Sequence, residues 1–174
     1  DTNGYSYDVI VRGNLVYLAD GEAGLKIIDV SDPLNPKLLS SLNASGTTQD
    51  IQLNDDFAFL ANGSAGIEVI DISKSTEPHS ISTLTNIGQV KGVDVENNIV
   101  VIVTSSSLYT VDASDKRGLV KLGSVLLGDV KDVVVKSGFA YVAAYADGYK
   151  VVDFNNPLAP KVVGGGKDFY PNDV

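Results

Sequence analysis

The sequence contains no cysteine, no methionine, no tryptophan and a single histidine, His79. Without cysteine there is no disulfide framework, no thiolate zinc site, no iron–sulfur cluster and no cysteine nucleophile. Methionine is missing even at position 1, so the 174 residues read as a chain that starts after processing or as a piece of something longer. No apolar run reaches the roughly 20 residues that a helical membrane span needs, so no membrane insertion is expected. No signal peptide is visible, although one already removed would leave no trace. Basic residues are also few. Thirteen Lys and Arg face 22 Asp and Glu, for a net charge of -9. That argues against nucleic acid, whose phosphates need a basic face, and against docking on an anionic membrane. With so few reactive side chains, the composition favours a module that binds or builds over one that catalyses.

What is present is apolar and punctuated. Hydrophobic residues make up 44% and charged residues 20%, enough for a buried core. Seventeen Gly and six Pro are spread along the chain, as expected for short elements joined by turns. The chain also repeats itself. GLKIIDVSDP at 24–33, GIEVIDISKS at 66–75, SLYTVDASDK at 107–116 and GYKVVDFNNP at 148–157 share an acid at Asp29, Asp71, Asp112 and Asp153. Its spacing is 42, 41 and 41 residues. Upstream, NLVYLAD, DFAFLAN, NIVVIVT and GFAYVAA keep the same register, as do DVIV, DIQL, GVDV and DVVV before them.

Each unit reads as four short strands rich in Val, Ile, Leu and aromatics and separated by Gly, Asn, Asp and Pro. In the first unit they are Asp8 to Val11, Leu15 to Ala19, Leu25 to Val30 and Lys37 to Leu42. No stretch carries a capped helical period, so almost no helix is expected. Aligned columns place Leu15, Phe57, Ile99 and Phe139 together, and Tyr17, Phe59, Val101 and Tyr141 two residues on. The first two strands are apolar on both faces, as in a sheet sandwiched between neighbours. Lys26, Glu68, Tyr109 and Lys150, which lie between the apolar columns of the third strand, look wetter than those columns. Pro36, Pro78 and Pro160 open the fourth strand, where a residue without a ladder N–H suits a sheet edge.

Four-stranded units of about 40–45 residues are the signature of β-propeller blades, so the fold class is all-β with four antiparallel blades in this chain. The blades span about 5–46, 47–88, 89–129 and 130–168. Tyr170-Pro171-Asn172-Asp173-Val174 matches Tyr5-Ser6-Tyr7-Asp8-Val9. Residues 169–174 therefore start a fifth repeat, which makes this a segment of a larger propeller, or they form a closing tail.

Ile27-Ile28-Asp29-Val30-Ser31-Asp32-Pro33, preceded by Tyr17-Leu18-Ala19-Asp20 and Gly24-Leu25, resembles the LVIVD repeat of bacterial and archaeal surface proteins. Units one, two and four carry the resemblance. Unit three departs, with Thr-Ser-Ser-Ser for the Gly-bearing hairpin, Gly92 for the first acid and Leu119 for the proline. The resemblance implies an extracytoplasmic propeller module, secreted with its signal removed or displayed on the cell surface, and it brings no catalytic residues with it.

Several clusters remain as candidate sites. Asp8, Asp50 and Asp132 open the first strand of units one, two and four, Asp173 stands at the same place in the restart at 169–174, and Gly92 breaks the column in unit three. A ring of such carboxylates could hold Ca²⁺, and the same acids could instead accept hydrogen bonds from nearby turns or from a neighbouring blade's backbone. Asp29, Asp71, Asp112 and Asp153 are each followed two residues later by Ser or Asn, the pattern of an Asx-type turn. The acidic turns at Asp20-Gly21-Glu22, Asn54-Asp55-Asp56 and Ala146-Asp147-Gly148 match no calcium loop and read as hairpins with positive φ at Gly or Asn. His79 sits alone beside Pro78, without the Ser and Asp of a triad, and reads as an exposed edge residue. Gly164-Gly165-Gly166-Lys167 lacks phosphate-loop spacing and reads as the end of a strand. Asn43-Ala44-Ser45 and Asn62-Gly63-Ser64 match the N-glycosylation sequon, both in expected turns. Tyr5, Tyr7, Tyr145, Phe169 and Tyr170 could form a partner patch or pack where units meet.

Three functions are compatible with this reading. The first is a non-catalytic scaffold or adhesion module that binds a protein partner or assembles with itself. The second is a cation- or carbohydrate-binding propeller. The third is part of a hydrolase whose catalytic residues lie outside this segment.

Overall fold

A computed structural model describes residues 4–167 of the chain. Residues 169–174, with Phe169, Tyr170 and Asp173, lie outside the described part. The chain divides into two compact units, Asp1–Asn86 and Ile87–Val174.

The first unit holds two four-stranded antiparallel sheets. One is ordered β1 (Asp8–Arg12), β2 (Leu15–Ala19), β3 (Leu25–Asp29), β4 (Lys37–Leu42). The other is ordered β5 (Asp50–Asn54), β6 (Phe57–Ala61), β7 (Ile67–Asp71), β8 (His79–Leu84). The second unit repeats the plan with β9 (Val90–Glu96), β10 (Ile99–Thr104), β11 (Ser107–Asp112), β12 (Val120–Leu126) and then β13 (Asp132–Lys136), β14 (Phe139–Ala143), β15 (Tyr149–Asp153), β16 (Lys161–Gly166). Every strand pairs with its sequence neighbour, as in propeller blades, and a single 3₁₀ turn at Tyr145–Asp147 is the helix content of the described residues.

Local chemistry explains the strand ends. The two-residue turns joining the first and second strands begin at Gly13, Asp55, Asn97 and Ser137, all with positive φ between 51° and 61°. Gly supplies that conformation freely, and Asn and Asp tolerate it. In the second repeat it is thus Asp55, not Asn54, that takes the left-handed position. At Gly24, Gly66 and Gly148 the reason for glycine is space as well. A Cβ there would stand 2.3 Å from the Leu42 carbonyl oxygen, 2.1 Å from that of Leu84 and 1.8 Å from that of Gly166, respectively. Unit three has Ser107 in this place, and its hairpin is closed differently: Thr104 Oγ1 accepts from the N–H groups of Ser106 and Ser107.

The same irregularity recurs in all four blades. The ladder between third and fourth strands slips by one residue after Ile27, Val69, Thr110 and Val151. The extra residue is on the fourth strand, which is an edge of its sheet and directly follows Pro36, Pro78 or Pro160 in three of the blades.

Burial shows which faces are stacked. In the first unit Tyr17, Ala19, Leu25 and Ile27 from one blade meet Ile51, Ala58, Leu60, Ile70 and Ile72 from the next. In the second unit Val101, Val103 and Leu108 meet Val133, Ala140, Val142, Val152 and Phe154 in the same way. Each blade therefore has a giving face, centred on the Tyr17 column, and a receiving face, centred on the Leu60 and Ile70 columns.

Two expectations are corrected. The first and second strands are not covered on both faces everywhere: Val9 and Val11 are 54% and 64% exposed, and Val134 and Tyr141 are each 41% exposed. Among the four residues expected to be wet, Glu68 is buried, because its carboxylate accepts from Asn62 Nδ2 at 2.7 Å and from Ser45 N at 3.3 Å.

Ile70 and Ile28 occupy the same repeat position, but Ile70 is fully buried and Ile28 is not. Ile70→Ala is expected to destabilise the protein by about 2–5 kcal/mol and Ile28→Ala by less than half as much. Urea denaturation of the two variants compares them, and equal losses would mean that the receiving face of the first blade is covered.

Candidate functional site

The acids that open each blade are engaged with backbone. Asp8 Oδ2 accepts from Ile51 N of the following blade at 3.2 Å, and Asp50 Oδ1 accepts from the same N–H at 2.7 Å. Asp132 Oδ1 accepts from Val133 N at 2.7 Å. In the third repeat Gly92 replaces this acid, and a Cβ on Gly92 would lie 3.1 Å from Asp132 Oδ1. The bridging role moves two residues on, to Asp94. Its Oδ1 accepts from Val95 N and its Oδ2 from Val135 N of the following blade, both at 2.6 Å. Glu96 adds a second clasp by accepting from Ser137 N and from Gly138 N. In the first unit Arg12 serves this end of the blade, donating to the Asp55 carbonyl and lying 5.4 Å from the centre of the Tyr17 ring. Among the described residues no three His, Cys, Asp or Glu side chains lie together as a cation would require.

The second acid ladder forms four matching turns. Asp29, Asp71, Asp112 and Asp153 each accept from the backbone N–H two residues on, at 2.8, 2.9, 2.8 and 3.0 Å respectively. Ser73 Oγ, Ser114 Oγ and Asn155 Nδ2 add a side-chain bond to the same oxygen. These bonds favour the ionised form, and they hold the carboxyls of Asp29, Asp112 and Asp153 below their ordinary value. The main cause is the Ser31 N–H for Asp29, the Ser114 hydroxyl for Asp112 and the Asn155 amide for Asp153.

At the outer end of the blades a second set of contacts joins neighbours. Ser40 Oγ donates to the Ser75 carbonyl at 2.6 Å, and Thr110 Oγ1 donates to the Pro157 carbonyl at 2.5 Å. Residues 75 and 157 are the same repeat position, in the turn that follows the Asx motif. Gly123 makes room for it, since a Cβ there would be 2.5 Å from the Pro157 oxygen.

The two sequons differ sharply. Asn43 is exposed. Asn62 is buried; its Oδ1 accepts from Thr48 Oγ1 at 2.8 Å and its Nδ2 donates to Glu68. One repeat earlier, Ser6 Oγ donates to Asp20 Oδ1 at 2.8 Å in the same arrangement, and Asp20 is fully buried, its Oδ2 without a hydrogen-bond partner among the described residues. This polar pair escaped the sequence reading, although the matching positions of Ser6 with Thr48 and of Asp20 with Asn62 carry its signal.

The aromatic candidates fall in different places. Tyr5 and Tyr7 are exposed in the first unit, beside Gly21, where a Cβ would lie 2.8 Å from the Tyr5 carbonyl oxygen and 3.2 Å from the Tyr7 ring. Tyr145 is exposed in the second unit, with Lys91 Nζ 5.5 Å from its ring centre. His79 is exposed at the start of β8. Gly164–Gly166 close β16.

Residues 3–44, 45–85 and 127–165 match the model of the LVIVD repeat, which together is more than half of the chain, and the matched stretches leave out the divergent third unit. No curated protein matches the sequence. Among solved structures, the computationally designed Ika4 protein is similar with a TM-score of 0.69 at 16% identity, over 87% of this chain and 92% of that one. A functionally unknown protein from Desulfotomaculum acetoxidans DSM 771 is similar with a TM-score of 0.81 at 16% identity, over 99% of this chain and 59% of that one. U3-55K is similar with a TM-score of 0.77 at 11% identity, over 95% of this chain and 54% of that one. The chain thus spans little more than half the length of the last two, and the likeness at these identities is one of fold.

Two measurements test the polar architecture. Carboxyl-detected NMR should find Asp29, Asp112 and Asp153 titrating below the ordinary value of about 3.9. Because the folded values are lowered, the turns' contribution to stability is complete above the unfolded value and is lost as pH falls through the folded one. Ordinary titration of all three would remove the Asx assignment. In a host that glycosylates sequons, peptide mapping should find glycan at Asn43 and none at Asn62, whose amide nitrogen is occupied; glycan at Asn62 in folded protein would contradict its burial.

Proposed function

Since the chain belongs to the LVIVD-repeat family, we propose that it is a non-catalytic propeller module, secreted or displayed at a cell surface, that works as a scaffold by holding other polypeptides on the open faces of its blades. The observation that carries this reading is the uncovered apolar sheet of the first blade, where Val9 and Val11 stand open beside half-buried Val16, Leu18 and Ile28. Contiguous exposed apolar surface marks interaction sites. The polar groups suited to chemistry have structural duties: both acid ladders bond backbone, and Asn62 and Glu68 bond each other, Thr48 and the Ser45 backbone. The surface location rests on the resemblance of the repeats to those of surface proteins.

Photo-crosslinking tests the reading. A photoreactive phenylalanine analogue at Val11, in protein made by its producing cell, should give covalent adducts with a polypeptide. The same analogue at Glu77, whose side chain is 70% exposed in the turn before β8, should give few. Equal yields at the two positions would defeat the proposal.

A further inference from the structure

The repeat register identifies what the open face of the first blade is shaped to receive. Shifting its residues by one repeat takes Val9 to Ile51, Val16 to Ala58, Leu18 to Leu60, Ile28 to Ile70 and Val30 to Ile72. All five of these partners are buried beneath the giving face of the first blade. Shifting instead to the fourth blade takes the same residues to Val133, Ala140, Val142, Val152 and Phe154, all buried beneath the giving face of the third blade. The first blade therefore carries the same receiving face, and on it Val9 and Val11 stay 54% and 64% exposed.

The fourth blade has the converse. Its giving face holds Val134, Tyr141, Tyr149 and Val151, the counterparts of Ile10, Tyr17, Leu25 and Ile27. Tyr17, Leu25 and Ile27 are buried, whereas Tyr141 is 41% exposed and Tyr149 and Val151 are half-buried.

The polar fittings match too. Arg12 donates to the Asp55 carbonyl of the blade it packs on, and its counterpart Lys136 is exposed, as is Gly13, the counterpart of Asp55. Gly123 admits the Pro157 carbonyl of the following blade. Among the described residues a Cβ on its counterpart Gly164 would have only Val151 nearby, at 3.8 Å, which leaves space for Pro33, the counterpart of Pro157.

We propose that two copies of this chain associate head to tail, the giving face of the fourth blade in one copy (Val134, Tyr141, Val151) seating on the receiving face of the first blade in the other (Val9, Val11, Leu18, Ile28). This rests on the scaffold reading and names its first partner as the chain itself. The contact is heterologous, since the two faces differ, so association leads to closed rings or open filaments rather than to a two-fold dimer.

Sedimentation of purified protein tests this. The wild type should show concentration-dependent masses of two chains or more. Val9→Lys with Val11→Lys spoils only the receiving face, and Tyr141→Lys only the giving face. Each substitution is at an exposed position, so each variant should melt as the wild type does and sediment as a monomer, with association weakened more than about tenfold. Val134→Lys, on the same giving face, replaces Tyr141→Lys should the latter fail to fold. Mixed together, the two variants should form a one-to-one complex, because each keeps the face the other has lost. A wild type that stays monomeric, variants that still self-associate, or a mixture that does not pair would overturn the proposal. A monomeric wild type that is still crosslinked through Val11 to a different polypeptide would overturn self-assembly while leaving the scaffold reading in place; no adduct at all would remove both.

Discussion

A sheet of four short strands with apolar side chains on both faces cannot be stable by itself, and everything else in this molecule answers that constraint. Strands of five to seven residues bury too little when only one face is covered. Stacking supplies the second cover. Each fully buried Leu, Ile or Val contributes about 1.5–3 kcal/mol relative to exposure, and a blade pair brings nine buried side chains into one cluster in the first unit. The repeat is the consequence. Any blade that presents the Tyr17 column on one side must present the Leu60 and Ile70 columns on the other, or the next blade has nothing to fit.

Apolar stacking alone does not set register, because oily faces slide. The polar contacts do that at both ends of each blade. Near the first strand, Asp8 and Asp94 reach across to the backbone of the following blade. Near the fourth strand, Ser40 and Thr110 bond the turn of the following blade. Each bond is short and local. Together they pin two sheets at opposite edges, so that the hydrophobic columns meet in one alignment.

The blade plan was legible in the sequence because it is written four times. A signal repeated every 41 or 42 residues averages out local noise, which is why the strands, the Asx turns at Asp29, Asp71, Asp112 and Asp153, and the edge prolines could be placed from spacing. What was not legible is what each repeat does differently. Gly92 read as a broken acid column, and the structure moves the acid's bridging role to Asp94, a shift of two residues that keeps the side chain on the same face of the strand. Glu68 read as wet because it alternates with apolar neighbours. Its burial depends on Asn62 from elsewhere in its own repeat and on Ser45 from the end of the preceding one. Turn chemistry placed Asn62 in a turn and said nothing of its burial, which Thr48 and Glu68 permit by satisfying both ends of its amide. Pairings between repeats are invisible to a reading that compares repeats only by column.

The bulge that recurs after Ile27, Val69, Thr110 and Val151 has a consequence for how the protein survives its own apolarity. A bulge twists a strand and breaks the even spacing of its outward N–H and C=O groups. With proline at the head of the same strand in three blades, that edge is a poor template for a foreign strand. Cross-β growth needs flat, regular edges that add strand upon strand. The fourth strand denies it that edge in every blade. The molecule can thus carry exposed valines on its sheet faces, while the direction that leads to amyloid is closed at this margin.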